Sequence, residues 1–189
     1  MNKLLLPIIA IIAMIGMSCN NSSSTSNNDS ATTNSTNVLT IDQLLTDADS
    51  LQGTDVVIEG VCTHTCQHGA TKIFLMGSDD TKIIRIEAGQ LGSFDTKCVN
   101  SIVKVWGKLV EQRIDEAYLQ KWESQAAEAG TSHAEAGCDT EKKARGETAS
   151  TTADRIASFR EKIAAQKEKT GKDYLSFYYV EATKYEIGQ

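Results

Sequence analysis

One β-rich segment stands alone at the end of the chain. "YLSFYYVEATKYEI", Tyr174 to Ile187, is dense in aromatic and β-branched residues, yet the other strand signals all lie before Asp115. A lone strand leaves a row of backbone groups unpaired, so this one must return to a sheet begun far earlier. The earlier signals are four. "DVVIEGVCTHTC" (Asp55–Cys66) is rich in β-branched residues around an interior Gly60. "TKIFLMGS" is short, apolar and closed by a turn, and "TKIIRIEAG" alternates after Ile83. "SIVKVWGKLVEQRID" sets Ile102, Lys104 and Trp106 on one face and Val103 and Val105 on the other, with Gly107 inside. Interior glycines in strands mark bulges or tight barrel bends. Four strands, a long excursion and one closing strand describe a mainly β, α+β domain: a small five-stranded Greek-key barrel.

The excursion between the fourth and fifth strands, about residues 116–171, reads as helical. "IDEAYLQKWESQAAEA" places Ile114, Tyr118 and Trp122 one turn apart. "STTADRIASFREKIAAQKEKTG" opens with a capping-box pattern at Thr151 to Asp154, carries an Ile156, Phe159, Ile163 stripe, and ends at Gly171. These aromatic and apolar positions read as core. Ala126 to Thr148 reads as a loose connection, and "EKKARGE" within it, Glu141 to Glu147, as a solvated face. Ahead of the strands, Thr40 can cap a short helix with Ile41, Leu44, Leu45 and Ala48 at helical spacing, stopped by Gly53. "QLGSFDTKC" leaves room for only a turn between the third and fourth strands.

The N-terminus bears on compartment. Lys3 precedes an apolar run from Leu4 to Met17, short for a membrane span and suited to a signal peptide. Gly16-Met17-Ser18-Cys19 resembles a bacterial lipobox, with Gly where Leu is usual. The resemblance implies a leader over residues 1–18, cleavage before Cys19 and acylation of the Cys19 thiol. Residues 19–38 then form a Ser/Asn/Thr tether too polar to bury surface, and residues 39–189 a single domain. The expected location is the cell envelope, anchored in the membrane and facing the periplasm or the cell surface. The formal charge of −6 becomes −7 once the leader takes Lys3 with it. Such an acidic chain lacks the electrostatic footprint of a nucleic-acid binder.

"VCTHTCQHG" is the densest chemistry in the chain. Cys62, His64, Cys66 and His68 alternate, so on a strand they share one face at roughly 6.5 Å intervals. A straight strand would spread them over about 20 Å, too far for bonds of about 2.0–2.3 Å to one zinc ion. Closure therefore needs the chain to turn, which Gly69 permits. Three readings fit these residues. One is a metal site of Cys62, His64, Cys66 and His68, with Cys98 as a further ligand; zinc suits the mixed N/S set, with copper as the rival. A second is a disulfide among Cys62, Cys66 and Cys98, since four cysteines remain besides Cys19 and an exported chain can oxidise them. A third is a reactive thiol beside His64. Cys138, beside His133, reads as exposed. No further catalytic unit accompanies these residues, and the chain reads as no enzyme.

The strand signals together resemble the oligonucleotide/oligosaccharide-binding (OB) barrel, although that fold usually carries its helix between the third and fourth strands. "VVIEGVCTHTCQHGATKIFLMG", "IIRIEAG" and "IVKVWGKLVEQRIDEAYLQKWE" further resemble a family of exported lipoproteins of Bacteroidetes-type bacteria. The OB-like fold hosts many activities and implies none. Two functions are expected from this reading. The first is a lipid-anchored OB-like module holding a metal ion through the Cys/His cluster. The second is a disulfide-stabilised, non-catalytic adaptor for a protein or glycan.

Overall fold

A computed structural model describes residues 37–67, 69–128, 139–149 and 151–188. The leader and tether, Cys19 with them, lie outside the described residues, as do His68, His133 and Cys138. A short strand β1 (Leu39–Thr40) leads into helices α1 (Ile41–Thr46) and α2 (Ala48–Leu51). Thr40 caps α1 as its sequence suggests: its hydroxyl accepts from the Gln43 N–H while the Gln43 side chain accepts from the Thr40 N–H. Strands β2 (Asp55–Thr65), β3 (Lys72–Met76), β4 (Ile83–Glu87) and β5 (Ile102–Ile114) follow. Helices α3 (Glu116–Glu128), α4 (Asp139–Ala144) and α5 (Thr152–Thr170) precede the last strand, β6 (Leu175–Ile187).

The sheet closes on itself. β2 pairs with β3, β3 with β4, β4 with β6 in parallel, β6 with β5, and β5 again with β2. This is the expected five-stranded, OB-like mixed barrel with its helices inserted before the closing strand; β1 adds a sixth strand, parallel to β2. Two 3₁₀ turns, Gly89–Leu91 and Thr96–Cys98, occupy the place where the general fold carries a helix.

Alternation divides the barrel wall. Val103 and Val105 of β5 are wholly buried and face inward, with Ile58, Ile73, Leu75, Ile84, Ile86, Leu109 and Val180 in the same core. α1 stoppers this core with Ile41 and Leu44. The register of β5 against β6 slips between Trp106 and Gly107: Trp106 pairs with Lys184 and Gly107 with Ala182, so the extra residue is Thr183 of β6 and Gly107 faces that bulge. Gly60 faces none in its pairing with β5: β2 runs in unbroken register with β5 from Asp55 to Val61, and Gly60 instead lets Ile41 pack close against the strand.

β5 and β6 extend beyond the rest of the barrel, and their outer face carries a second core. Ile114, Leu119, Ile156 and Phe159 are buried there, with Trp122, Leu175 and Phe177 packed around them. Ile114 belongs to the end of β5 rather than to a helix, because α3 begins only at Glu116, after Asp115 accepts from the Tyr118 N–H. Thr151 caps α5, and Gly171 ends it in the left-handed region at φ 77°. The stretch read as a loose connection is shorter than expected: α3 runs on to Glu128, and α4 lies against the barrel wall.

Candidate functional site

The alternation that would set Cys62 and His64 on one face does not survive folding. Cys62 pairs with Leu75 and His64 with Phe74, so one residue of β2, Thr63, separates the partners of residues that are adjacent on β3. This bulge at Thr63 inverts the phase of the strand. Leu75 points into the barrel core and takes Cys62 with it; Phe74 lies on the opposite face with His64. The Cys62 Sγ donates weakly to the His64 carbonyl oxygen at 3.6 Å, and burial raises its pKa. The His64 ring sits 5.8 Å from the Phe74 ring, and its Nε2 is buried without a hydrogen-bond partner. Cys66 follows the end of β2 and is half-buried.

Among the described residues, no group of three or more His, Cys, Asp or Glu side chains could hold a metal ion. The expected zinc or copper site through Cys62, His64, Cys66 and Cys98 is therefore corrected; His68, its remaining ligand, lies outside the described residues. No disulfide takes its place either: Cys62, Cys66 and Cys98 all carry free thiols. Cys98 is buried in the same core as Cys62. The two segments are tied by the Asn100 N–H donating to the Cys62 carbonyl at 2.8 Å and the Cys62 N–H to that of Ser101 at 2.9 Å. Burial, then the neighbouring Cys62 and Asp95, pushes the Cys98 thiol up to about 11. Thiols held this far above neutrality are poor nucleophiles.

A different cluster has the geometry of a binding site. In β4, alternation sends Ile84 and Ile86 inward and Arg85 outward, beneath α4. There the Arg85 Nη1 donates to Glu141 Oε1 at 2.6 Å, and its Nη2 donates to Gln112 Oε1 at 3.1 Å. Arg145, just past α4, donates to the same two oxygens at 3.0 and 3.2 Å. Lys72 Nζ stands 3.6 Å from Glu141 Oε2. Burial works to raise the Glu141 pKa, but Arg145, Arg85 and Lys72 outweigh it and hold the carboxyl below its ordinary value. The Arg85 guanidinium also lies over the Tyr179 ring at 4.8 Å. Glu141 and Arg145 are thus enclosed rather than solvated, which corrects the reading of "EKKARGE".

Both guanidinium groups line a cavity of about 190 Å³ with Gln112, Ser176, Phe177 and Tyr178. It exists because β4 and β6 part company. Their ladder begins at Arg85 and Tyr179, so Leu175 to Tyr178 pair with β5 on one side and, among the described residues, with no strand on the other. Ser176, Phe177 and Tyr178 also wall a wider groove of about 560 Å³ beside α5, where Lys162, Lys169 and Lys172 stand with Asp49. The Tyr178 hydroxyl donates to Asp49; burial and then this carboxylate push the phenol up to about 12. Cavity and groove share Ser176, Phe177 and Tyr178; taken together as a trough, their linings hold five cations and two carboxylates.

The sequence carried faint signals of this trough. Arg85 is the one charge flanked on both sides by isoleucines in "IIRIE", and Glu141 and Arg145 stand at i, i+4. No family model, no curated protein and no solved structure matches the chain.

Proposed function

We propose that the chain is a lipid-anchored adaptor of the cell envelope, of the exported lipoprotein type its motifs resemble, and that it binds an acidic, extended peptide segment of a partner protein along the trough. It binds this segment without acting on it chemically. The observation that carries the reading is charge segregation. The chain has a formal charge of −6, yet Arg85, Arg145, Lys162, Lys169 and Lys172 gather along one wall. A local reversal of field in an acidic protein attracts anions to that place and repels them elsewhere.

The unpaired side of Leu175–Tyr178 favours a peptide among anionic partners. An extended chain can add backbone hydrogen bonds to such an edge while its acidic side chains reach the cations. The anchor rests on the leader, Cys19 and the polar tether of the sequence. In a test, fluorescein-labelled hexaglutamate is titrated into the full chain in detergent, followed by anisotropy. Saturable binding is expected, weakened by salt and abolished by the triple change Lys162→Glu, Lys169→Glu, Lys172→Glu. Absence of binding, or tighter binding of an oligonucleotide or a polyuronate than of hexaglutamate, refutes the peptide reading.

A further inference from the structure

We infer that Arg85 and Arg145 form a seat for one carboxylate of an incoming ligand, and that Glu141 of α4 holds that seat as an internal substitute while the ligand is absent. The inference rests on the trough reading for the identity of the ligand, but the seat itself is a matter of geometry. Two guanidinium groups converge on the single oxygen Oε1 of Glu141, with Lys72 beside Oε2. Each guanidinium offers five N–H donors. The Glu141 carboxylate, the Gln112 amide oxygen and Glu87, whose Oε1 stands 3.3 Å from the Arg85 Nη2, do not use them all, and among the described residues the Arg85 Nε is buried with no partner. The open volume lies against both arginines. The site therefore has more donors than its resident acceptors need, and space beside them.

The resident carboxylate arrives on an element made to exchange. α4 is six residues long, too short to persist as a helix without its tertiary contacts. It is held by the Glu141 cluster on the inner side and an ion pair between Lys143 and Asp80 at the surface, and just past its end the buried Glu147–Arg155 ion pair ties the chain to α5. Removing Glu141 without replacement would strip two buried guanidinium groups of the carboxylate they share and leave Arg85 only Glu87, which is costly. Replacing it with a ligand carboxylate exchanges like for like, so an acidic ligand can displace the Glu141 side chain where a neutral one cannot. The internal carboxylate thereby lowers the apparent affinity by the fraction of molecules whose seat is taken.

Hexaglutamate binding is compared between the full-length wild type, Glu141→Gln, Lys143→Ala and the double change Glu141→Gln with Arg85→Met. Glu141→Gln and Lys143→Ala are each expected to bind about tenfold tighter, as when nine-tenths of the seats are internally occupied, and Arg85→Met to cancel the gain. Lys143→Ala removes a positive charge, so tighter binding by it runs against simple attraction. A folded Glu141→Gln protein with wild-type affinity overturns the inference. If that variant does not fold, Lys143→Ala decides, and affinity at or below wild type overturns it. Sodium acetate, read by the arginine Nε–H resonances of the tighter-binding single variant against sodium chloride of equal strength, separates the two proposals. An acetate-specific shift without hexaglutamate binding leaves the seat standing and refutes the peptide trough; no acetate-specific shift overturns the seat.

Discussion

Replacing Gly107 by alanine tests whether close packing of β5 against the bulged strand β6 requires a glycine there. At this position a Cβ would lie 2.7 Å from Val180 Cγ1 and 2.9 Å from the Glu181 carbonyl carbon, and closer still to the Glu181 carbonyl oxygen. Comfortable carbon–carbon contact begins near 3.5 Å, so relief needs a movement of almost an ångström. The obstacle is mainly backbone, in the strand that closes the barrel, and it cannot rotate away. Overpacking typically costs about 1–3 kcal/mol, and a backbone obstacle belongs at the upper end. Alanine returns about 0.4–1 kcal/mol by restricting the unfolded chain, leaving a net loss of about 2 kcal/mol. For a domain of this size each kcal/mol lowers Tm by about 2–4 °C, so the expected fall is about 4–8 °C. Gly60→Ala is the control. Its Cβ would meet the Ile41 side chain at 2.7 Å and the Met76 carbonyl oxygen at 3.0 Å, and a side chain can give way, so its cost should be about half. Urea unfolding of the two variants, with the slope checked for constancy, reads both numbers. A Gly107→Ala protein with the wild-type midpoint, or one more stable than Gly60→Ala, would refute the packing argument.

Other perturbations read other parts of the molecule. Native-state alkylation of a Cys138→Ser background should modify Cys66 first and leave Cys62 and Cys98 protected until urea opens the core; early loss of Cys98, read by peptide mass, would contradict the raised pKa that burial imposes on it. Glu141 has a depressed carboxyl pKa in the fold, so the unfolded chain binds its proton more readily. Its stabilisation is complete above the unfolded value, near 4.5, and drains away as pH falls through the lower folded value. The acid limb of a Tm–pH curve should therefore flatten in Glu141→Gln, and an unchanged limb would sink the assignment. Cys19→Ala should release the chain from membranes into the aqueous phase on detergent partitioning; retention unchanged from wild type would refute the anchor.

What the sequence disclosed and what it hid follow from the range of the interactions involved. The Thr40 cap depends on residues three apart, and the Val103/Val105 face on residues two apart; both are written in a short window and both hold. The return of β6 was legible because an unpaired strand is unstable wherever it occurs. The Cys62–His68 run misled for an equally physical reason. Its period of two assumes a regular strand, and one extra residue at Thr63 is enough to send Cys62 into the core and His64 away from it. Nothing within the run announces that bulge, which is set by pairing with β3. The trough was hidden further, since Arg85 and Glu141 stand 56 positions apart and meet only after the barrel and α4 are both in place.

The position of β6 also dictates an order of events. It forms the parallel seam with β4 and the longest antiparallel seam with β5, yet it leaves the ribosome after all the other described elements. Until it arrives, β4 and β5 each present an edge that another chain could capture. The longer intervening helices, α3 and α5, rely more on local contacts and can begin to form at once, but their apolar faces have no complete wall to settle on. Barrel closure must therefore wait for pairings distant in sequence, which fold slowly. A chain truncated before Leu175 should behave as an aggregating intermediate rather than as a smaller version of the same domain.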